Sequence, residues 1–224
     1  MVPDHKELPL FPLNVVLFPR MTLPLRIFEP RYLQMVDACV RGDAMFGVVC
    51  IKEGQEVGGP AIPYGVGTTA RIIDVEKKSP DLLHITAVGQ QRFQVRRVVS
   101  EEPYLVGEIE SYPMEKVDAP EVGALVDGEI ALLSVYLDLL SRVSEVQVRM
   151  QQSPDTPEAM AYFIAMLLQV PLSVKQWLLS VADLPTLLHE ESALLRGGVK
   201  ALTIVLRGQD IVDNERSASF FSMN

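Results

Sequence analysis

The hydrophobic period of this chain changes near residue 117, and that change limits the possible folds more than any single motif does. Upstream, short apolar runs cover 45–51 (MFGVVCI), 67–76, 82–88, 91–99 and 104–111, separated by EGQEVGGP, KKSPD and GQ. In the run 91–99, Phe93, Val95 and Arg97 alternate with Arg92, Gln94 and Arg96, which is the period of a strand. Downstream, Leu125, Ile130, Leu133, Leu137, Leu140, Val143 and Val146 recur at helical spacing over 121–150. Strands followed by helices predict an α+β chain. The expected division is a β-barrel in 1–116, a helical bundle in 117–206 and a polar tail in 207–224.

The chain opens on LPLFPLNVVLF at 8–18, which Pro9, Pro12 and Pro19 punctuate. Proline cannot donate to a ladder, so this run suits an edge strand or an extended arm. TLPLRIF at 22–28 is a second extended run containing a proline. Pro30 fits the first turn of a helix carrying Tyr32, Leu33, Val36 and Val40, with Gly42 placed to end it. In the second half, Gln151–Pro157 breaks the helical pattern, with Ser153 or Asp155 as expected caps for a helix over 158–169. Ser173 is expected to cap the next helix and Asp183 the last one, which Gly197–Gly198 should weaken or bend.

Hydrophobic residues make up 48% of the chain and charged residues 22%, enough apolar surface for a packed core. The net charge is −9, of which residues 1–116 carry −2 and 117–224 carry −7. That acidity argues against phosphate backbones and anionic membranes as partners. No run approaches the roughly 18 apolar residues of a spanning helix. Cys39 and Cys50 both sit in apolar stretches without histidines at ligand spacing, so no disulfide or metal site is expected and the reducing cytoplasm is the simplest compartment.

The stretch LPLFPLNVVLFPRMTLPLRIFEPRYLQMVDAC resembles the opening of the Lon protease N-terminal, substrate-binding domain, with Pro19, Leu25, Ile27, Phe28, Glu29, Arg31 and Tyr32 at matching positions. GVGTTARIIDVEKKSPDLLHITAVGQQRFQVRRV and the helical SPDTPEAMAYFIAMLLQVPLSVKQWLLSVADLPTLLHEESALL extend the resemblance over roughly residues 7–200. It implies a PUA-like barrel followed by a small helical bundle, and a role in substrate recognition. The sequence contains no Gly-X-X-X-X-Gly-Lys-Ser/Thr loop, and Lys175 and Lys200, its lysines after residue 116, lie in nothing like a Ser–Lys peptidase region. The expectation is a free-standing, non-catalytic module with no cofactor. Its expected partners are unfolded or extended polypeptide and a separate protease.

Each candidate surface has a plainer alternative. Leu10, Phe11, Leu13, Val15, Leu17 and Phe18 could offer a strand edge to an extended peptide, or could close the barrel and fill its core. Glu29, Arg31 and Tyr32 could hold a peptide backbone, or could form a structural pair at the helix start. Arg71, Arg92, Arg96 and Arg97 could track RNA, since PUA-like folds include RNA binders; the alternative is a solvated face, with Arg96 and Arg97 on opposite sides of their strand. His5, His84 and His189 lack any nucleophile signature, so no catalytic residue is assigned. Met160, Tyr162, Phe163, Met166 and Trp177 read as bundle core.

Overall fold

The computed structural model describes residues 6–56, 61–144 and 154–221, with side chains up to residue 208. The chain divides into two compact units, Met1–Glu115 with Val170–Asp183, and Lys116–Gln169 with Leu184–Asn224.

The first unit contains β1 (Lys6–Leu13), β2 (Thr22–Ile27), α1 (Pro30–Arg41), β3 (Met45–Gly54), β4 (Ala61–Ser79), β5 (Leu82–Ser100) and β6 (Val106–Ser111). The sheet order is β2-β5-β4-β3-β1-β6, and β6 also pairs with β5. Five strands therefore close on themselves as a barrel, and β2 is an appended sixth. β1 changes partner midway: Lys6–Pro9 lie antiparallel to Ile109–Val106, and Leu10–Leu13 lie parallel to Gly47–Cys50. Each half is thus laddered on one side, which leaves a side where a proline nitrogen sacrifices no ladder bond.

Alternation along the strands sorts the apolar residues into two clusters. Leu8, Leu10, Val49, Phe93 and Ile109 form one. Phe11, Leu13, Phe46, Val48, Ile85 and Ala87 join Tyr32, Met35, Val36 and Cys39 of α1 in the other. The successive residues Leu10 and Phe11 fall in different clusters, so β1 is buried on both faces. Phe93 fits beside β3 because Gly47 has no side chain; a Cβ there would meet Leu10 Cδ2 and Phe93 Cζ at 2.7 Å.

The expected GQ turn at 89–90 is absent, since β5 runs unbroken through it. Gly89 instead lets the chain before β2 come close: its N–H donates to Met21 O at 2.9 Å and its carbonyl accepts from Arg20 N at 2.8 Å. A Cβ at Gly89 would stand 2.4 Å from Phe18 O.

Helix α1 begins at Pro30 and ends at Gly42, as expected, but its buried face is Tyr32, Met35, Val36 and Cys39, with Val40 exposed. Within the same unit α4 (Leu172–Ser180) packs beside β4, where Gln176 Nε2 donates to Val66 O at 2.9 Å. Tyr112 Oη donates to Ser180 O at 3.0 Å and Glu115 N to Ala182 O at 2.9 Å. Pro171, not Ser173, occupies the cap position of α4, and Trp177 is exposed, not part of a bundle core.

The second unit holds α2 (Val122–Ser144), α3 (Pro157–Leu167) and α5 (Leu184–Phe221). Thr156 caps α3 by accepting from Ala159 N at 3.2 Å; Asp155 does not, and Ser153 lies outside the described residues, as does the expected continuation of α2 to Val146 and beyond. The buried face of α2 is Val122, Glu129, Leu133 and Tyr136, so a glutamate takes a position in the apolar stripe and Ile130 turns outward. Helix α5 continues through Gly197–Gly198 and into the expected tail as far as Phe221. Gly198 lies against Tyr136, where a Cβ would meet Cε2 at 2.6 Å, so the glycine serves close helix approach. No described helix is long and apolar enough to cross a membrane.

Candidate functional site

Barrel closure removes the edge that β1 was expected to present. Leu10, Phe11 and Leu13 are buried, Leu10 completely, because β1 has partners in β3 and β6 and its side chains fill both clusters; Phe18, beyond β1, is buried as well. Among the described residues, the strand with a ladder on one side only is β2, through Thr22–Ile27 against Val88–Leu83 of β5.

A pocket of about 240 Å³ opens beside that strand. Phe11 and Leu13 of β1 contribute to its lining, as do Pro24, Leu25, Arg26 and Ile27 of β2. Phe28, Glu29 and Tyr32 line it at the start of α1, and Glu56 lies at its rim beyond β3. The Tyr32 and Phe11 rings sit 4.1 Å apart between centroids, tilted by 36°, and Phe46 stands 6.2 Å behind Phe11. Phe28 is 49% exposed, which is unusual for so large an apolar side chain.

The polar groups at this pocket are held in place. Arg31 Nε and Nη2 both reach Glu29 Oε2, at 3.1 and 2.9 Å, and the guanidinium lies 4.5 Å above the Tyr32 ring. Glu29 occupies the N-cap position of α1, where the helix dipole favours its charge. Burial pushes the Tyr32 phenol above its usual range, so it stays neutral through physiological pH. Glu56 Oε2 accepts from Asn14 N at 3.1 Å. Among the described residues, the lining contains no histidine, cysteine, serine or lysine to act as a nucleophile–base pair. It can bury an apolar side chain and can hydrogen-bond a main chain at its margin.

Of the residues read from sequence, Phe11, Leu13, Glu29 and Tyr32 therefore come together here, and Arg31 braces two of them. Leu10 and Phe18 do not; they belong to the interior. Sequence reasoning assigned no site role to Pro24, Leu25, Arg26, Ile27, Phe28 or Glu56. The apolar Phe28 lying outside the Leu23–Leu25–Ile27 alternation was the available signal.

Each of the four arginines has a partner within the protein. Arg92 is buried, and Arg71 Nη1 donates to Asp43 O at 3.2 Å. Arg97 pairs with Glu108 at 2.5 Å and Arg96 pairs with Glu110. A register shift between Val95 and Arg97 brings both arginines to carboxylates two residues apart on β6, so they share a side instead of facing oppositely. His84 lies exposed on β5, His189 Nδ1 contacts Pro185 O at 2.6 Å, and His5 lies outside the described residues.

Residues 7–197 match the family described as the ATP-dependent protease La (LON) substrate-binding domain. The Lon protease of Anaeromyxobacter dehalogenans is 32% identical over 180 residues, which is 79% of this chain and 21% of that protein. Lon protease 2 of Myxococcus xanthus is 31% identical over 181 residues, 79% of this chain and 22% of that one. The chain thus spans about a fifth of the length of these relatives. Among solved structures, the Lon N-terminal domain protein from Xanthomonas campestris superposes with a TM-score of 0.63 at 29% identity, covering 84% of this chain and 98% of that one. The N-terminal domain of Mycobacterium avium complex Lon protease, at 17% identity and a TM-score of 0.63, shares the fold over 85% of this chain and 98% of that one. By the extent of the family match and by its fold, this chain belongs to the Lon substrate-binding domain family.

Proposed function

We propose that this chain is a non-catalytic recognition module that captures extended or unfolded polypeptide at the pocket beside β2. The observation that carries this reading is an apolar pocket next to a strand whose ladder is one-sided. A peptide laid along β2 pairs its main chain with the open edge and places one apolar side chain over Phe11 and Tyr32. Phe28 then covers that side chain from solvent. Pro24 withholds one N–H from the edge, which limits the pairing and favours a side-chain anchor over a long ladder.

In this reading the module needs neither nucleotide nor metal. It works in the cytoplasm, consistent with two unpaired buried cysteines. Captured clients pass to a protease, the activity named for the relatives.

The test is fluorescence anisotropy of a labelled, permanently unfolded casein against the purified chain. Saturable binding in the micromolar range without cleavage supports the reading. Absence of saturable binding, or peptide-bond cleavage by the chain itself, refutes it.

A further inference from the structure

We propose that Glu129 and Glu191, buried together between α2 and α5, form a proton-loaded latch that makes the packing of the helical unit respond to pH. Both residues have 0% exposure. Glu129 sits in the apolar stripe of α2 with Leu133 and Tyr136, and Glu191 lies on the core-facing side of α5 with Leu187, Leu188 and Leu195.

Their polar surroundings are sparse. Ser192 Oγ donates to Glu129 Oε1 at 3.2 Å. Glu129 Oε2 and both oxygens of Glu191 have no conventional donor. The two carboxyl groups act on each other, and a proton on one of them turns that opposition into a donor–acceptor pair. Burial and the mutual repulsion of neighbouring carboxylates both oppose double ionisation of such a pair. Among the described residues, the cation acting on Glu129 is Arg196, from α5 itself. Helix α3, which packs against both helices, carries Glu158 and Tyr162 as its titratable groups. No third His, Cys, Asp or Glu joins them in a metal-ligand group among the described residues.

The direction of the pH effect follows. Burial raises Glu129 to about 8, and burial together with the neighbouring carboxyl raises Glu191 well above the ordinary carboxyl range. Between the ordinary glutamate range and those raised values, the folded unit holds more protons than the unfolded chain. Its stability therefore falls as pH rises through that window. Helices α2 and α5 pack most tightly in mildly acidic solution and loosen as the pair is stripped of protons.

Hydrogen exchange on the full chain, corrected for intrinsic exchange rates, tests this. Protection of α2 and α5 amides should fall as pH rises through the window, about tenfold per pH unit for each extra proton the folded pair holds, while β3 and β4 serve as the internal reference. E129Q/E191Q should flatten that dependence. Parallel pH profiles for the wild type and the double variant would overturn the proposal, as would unchanged α2 and α5 protection in the wild type. If the double variant does not fold, infrared difference spectra of the wild type decide: a protonated carboxyl band should persist at neutral pH, and its absence rejects the latch.

Discussion

The guanidinium of Arg92, on β5, donates to the main-chain oxygens of both Leu179 and Val181, at 2.8 and 2.5 Å. Those carbonyls belong to the last turn of α4 and the residue that follows it, where a helix leaves acceptors without partners. A buried cation at that end satisfies them and complements the helix dipole. The Tyr112 ring, 4.8 Å from the guanidinium, adds a second contact. Sequence left Arg92 between an RNA-tracking face and a solvated one; it is instead the tie between a barrel strand and a helix distant in sequence.

Replacing Arg92 with Met should therefore cost about 2–3 kcal/mol, the scale of charge-assisted hydrogen bonds lost with their acceptors left buried. Urea denaturation measures the loss. Amide exchange should show α4 losing protection ahead of β3.

The glycines separate by what lies beside them. Gly47→Ala drives a methyl group into Leu10 and Phe93 and should cost about 1–3 kcal/mol, the usual range for overpacking. Gly123→Ala, with nothing near its Cβ on α2, should be neutral or stabilise by up to about 1 kcal/mol through helix propensity. Thermal melts of the two variants should shift in opposite directions or differ clearly in size.

Binding and stability should come apart at the pocket. Phe28→Ala removes a half-exposed side chain and should weaken casein binding about tenfold with little change in melting temperature. Leu10→Ala opens a cavity in the barrel and should cost about 2–5 kcal/mol, while the affinity of the molecules that remain folded is preserved. Anisotropy and calorimetry on both variants check this crossed pattern.

In the helical unit, Tyr136 Oη accepts from Gln169 N at 3.1 Å, just past the end of α3. Tyr136→Phe keeps the ring against Gly198 and strands that N–H, for a loss of about 1 kcal/mol. Tyr136→Ala also removes the ring and should cost several times more, read by the same denaturation experiment.

The order of barrel before helices was legible because period-two and helical patterns occupy separate stretches of the sequence. Helix α1 was legible from Pro30 and Gly42. Pairing was not legible: nothing in LPLFPL says that one half of the strand lies beside β6 and the other beside β3. Hence β1 was read as a candidate edge, whereas β2 is the strand left open. Arg92 and Glu129 escaped for a common reason. A charged residue in a periodic pattern is read as solvent-facing, and only the fold reveals a partner that makes its burial tolerable. The pocket was half legible, since Glu29 and Tyr32 sit at a readable strand-to-helix junction while Pro24, Arg26 and Glu56 arrive through tertiary packing.

The split partnership of β1 sets an order of assembly. Its first half pairs with residues about a hundred positions further along, so the segment at the start of the chain must wait for β6 before its ladder can form. During synthesis Leu8, Leu10 and Phe11 leave the ribosome long before the strand that will bury their neighbourhood exists. A nascent chain stalled before Val106 should consequently expose this stretch to chaperones, and release just past Ser111 should shield it.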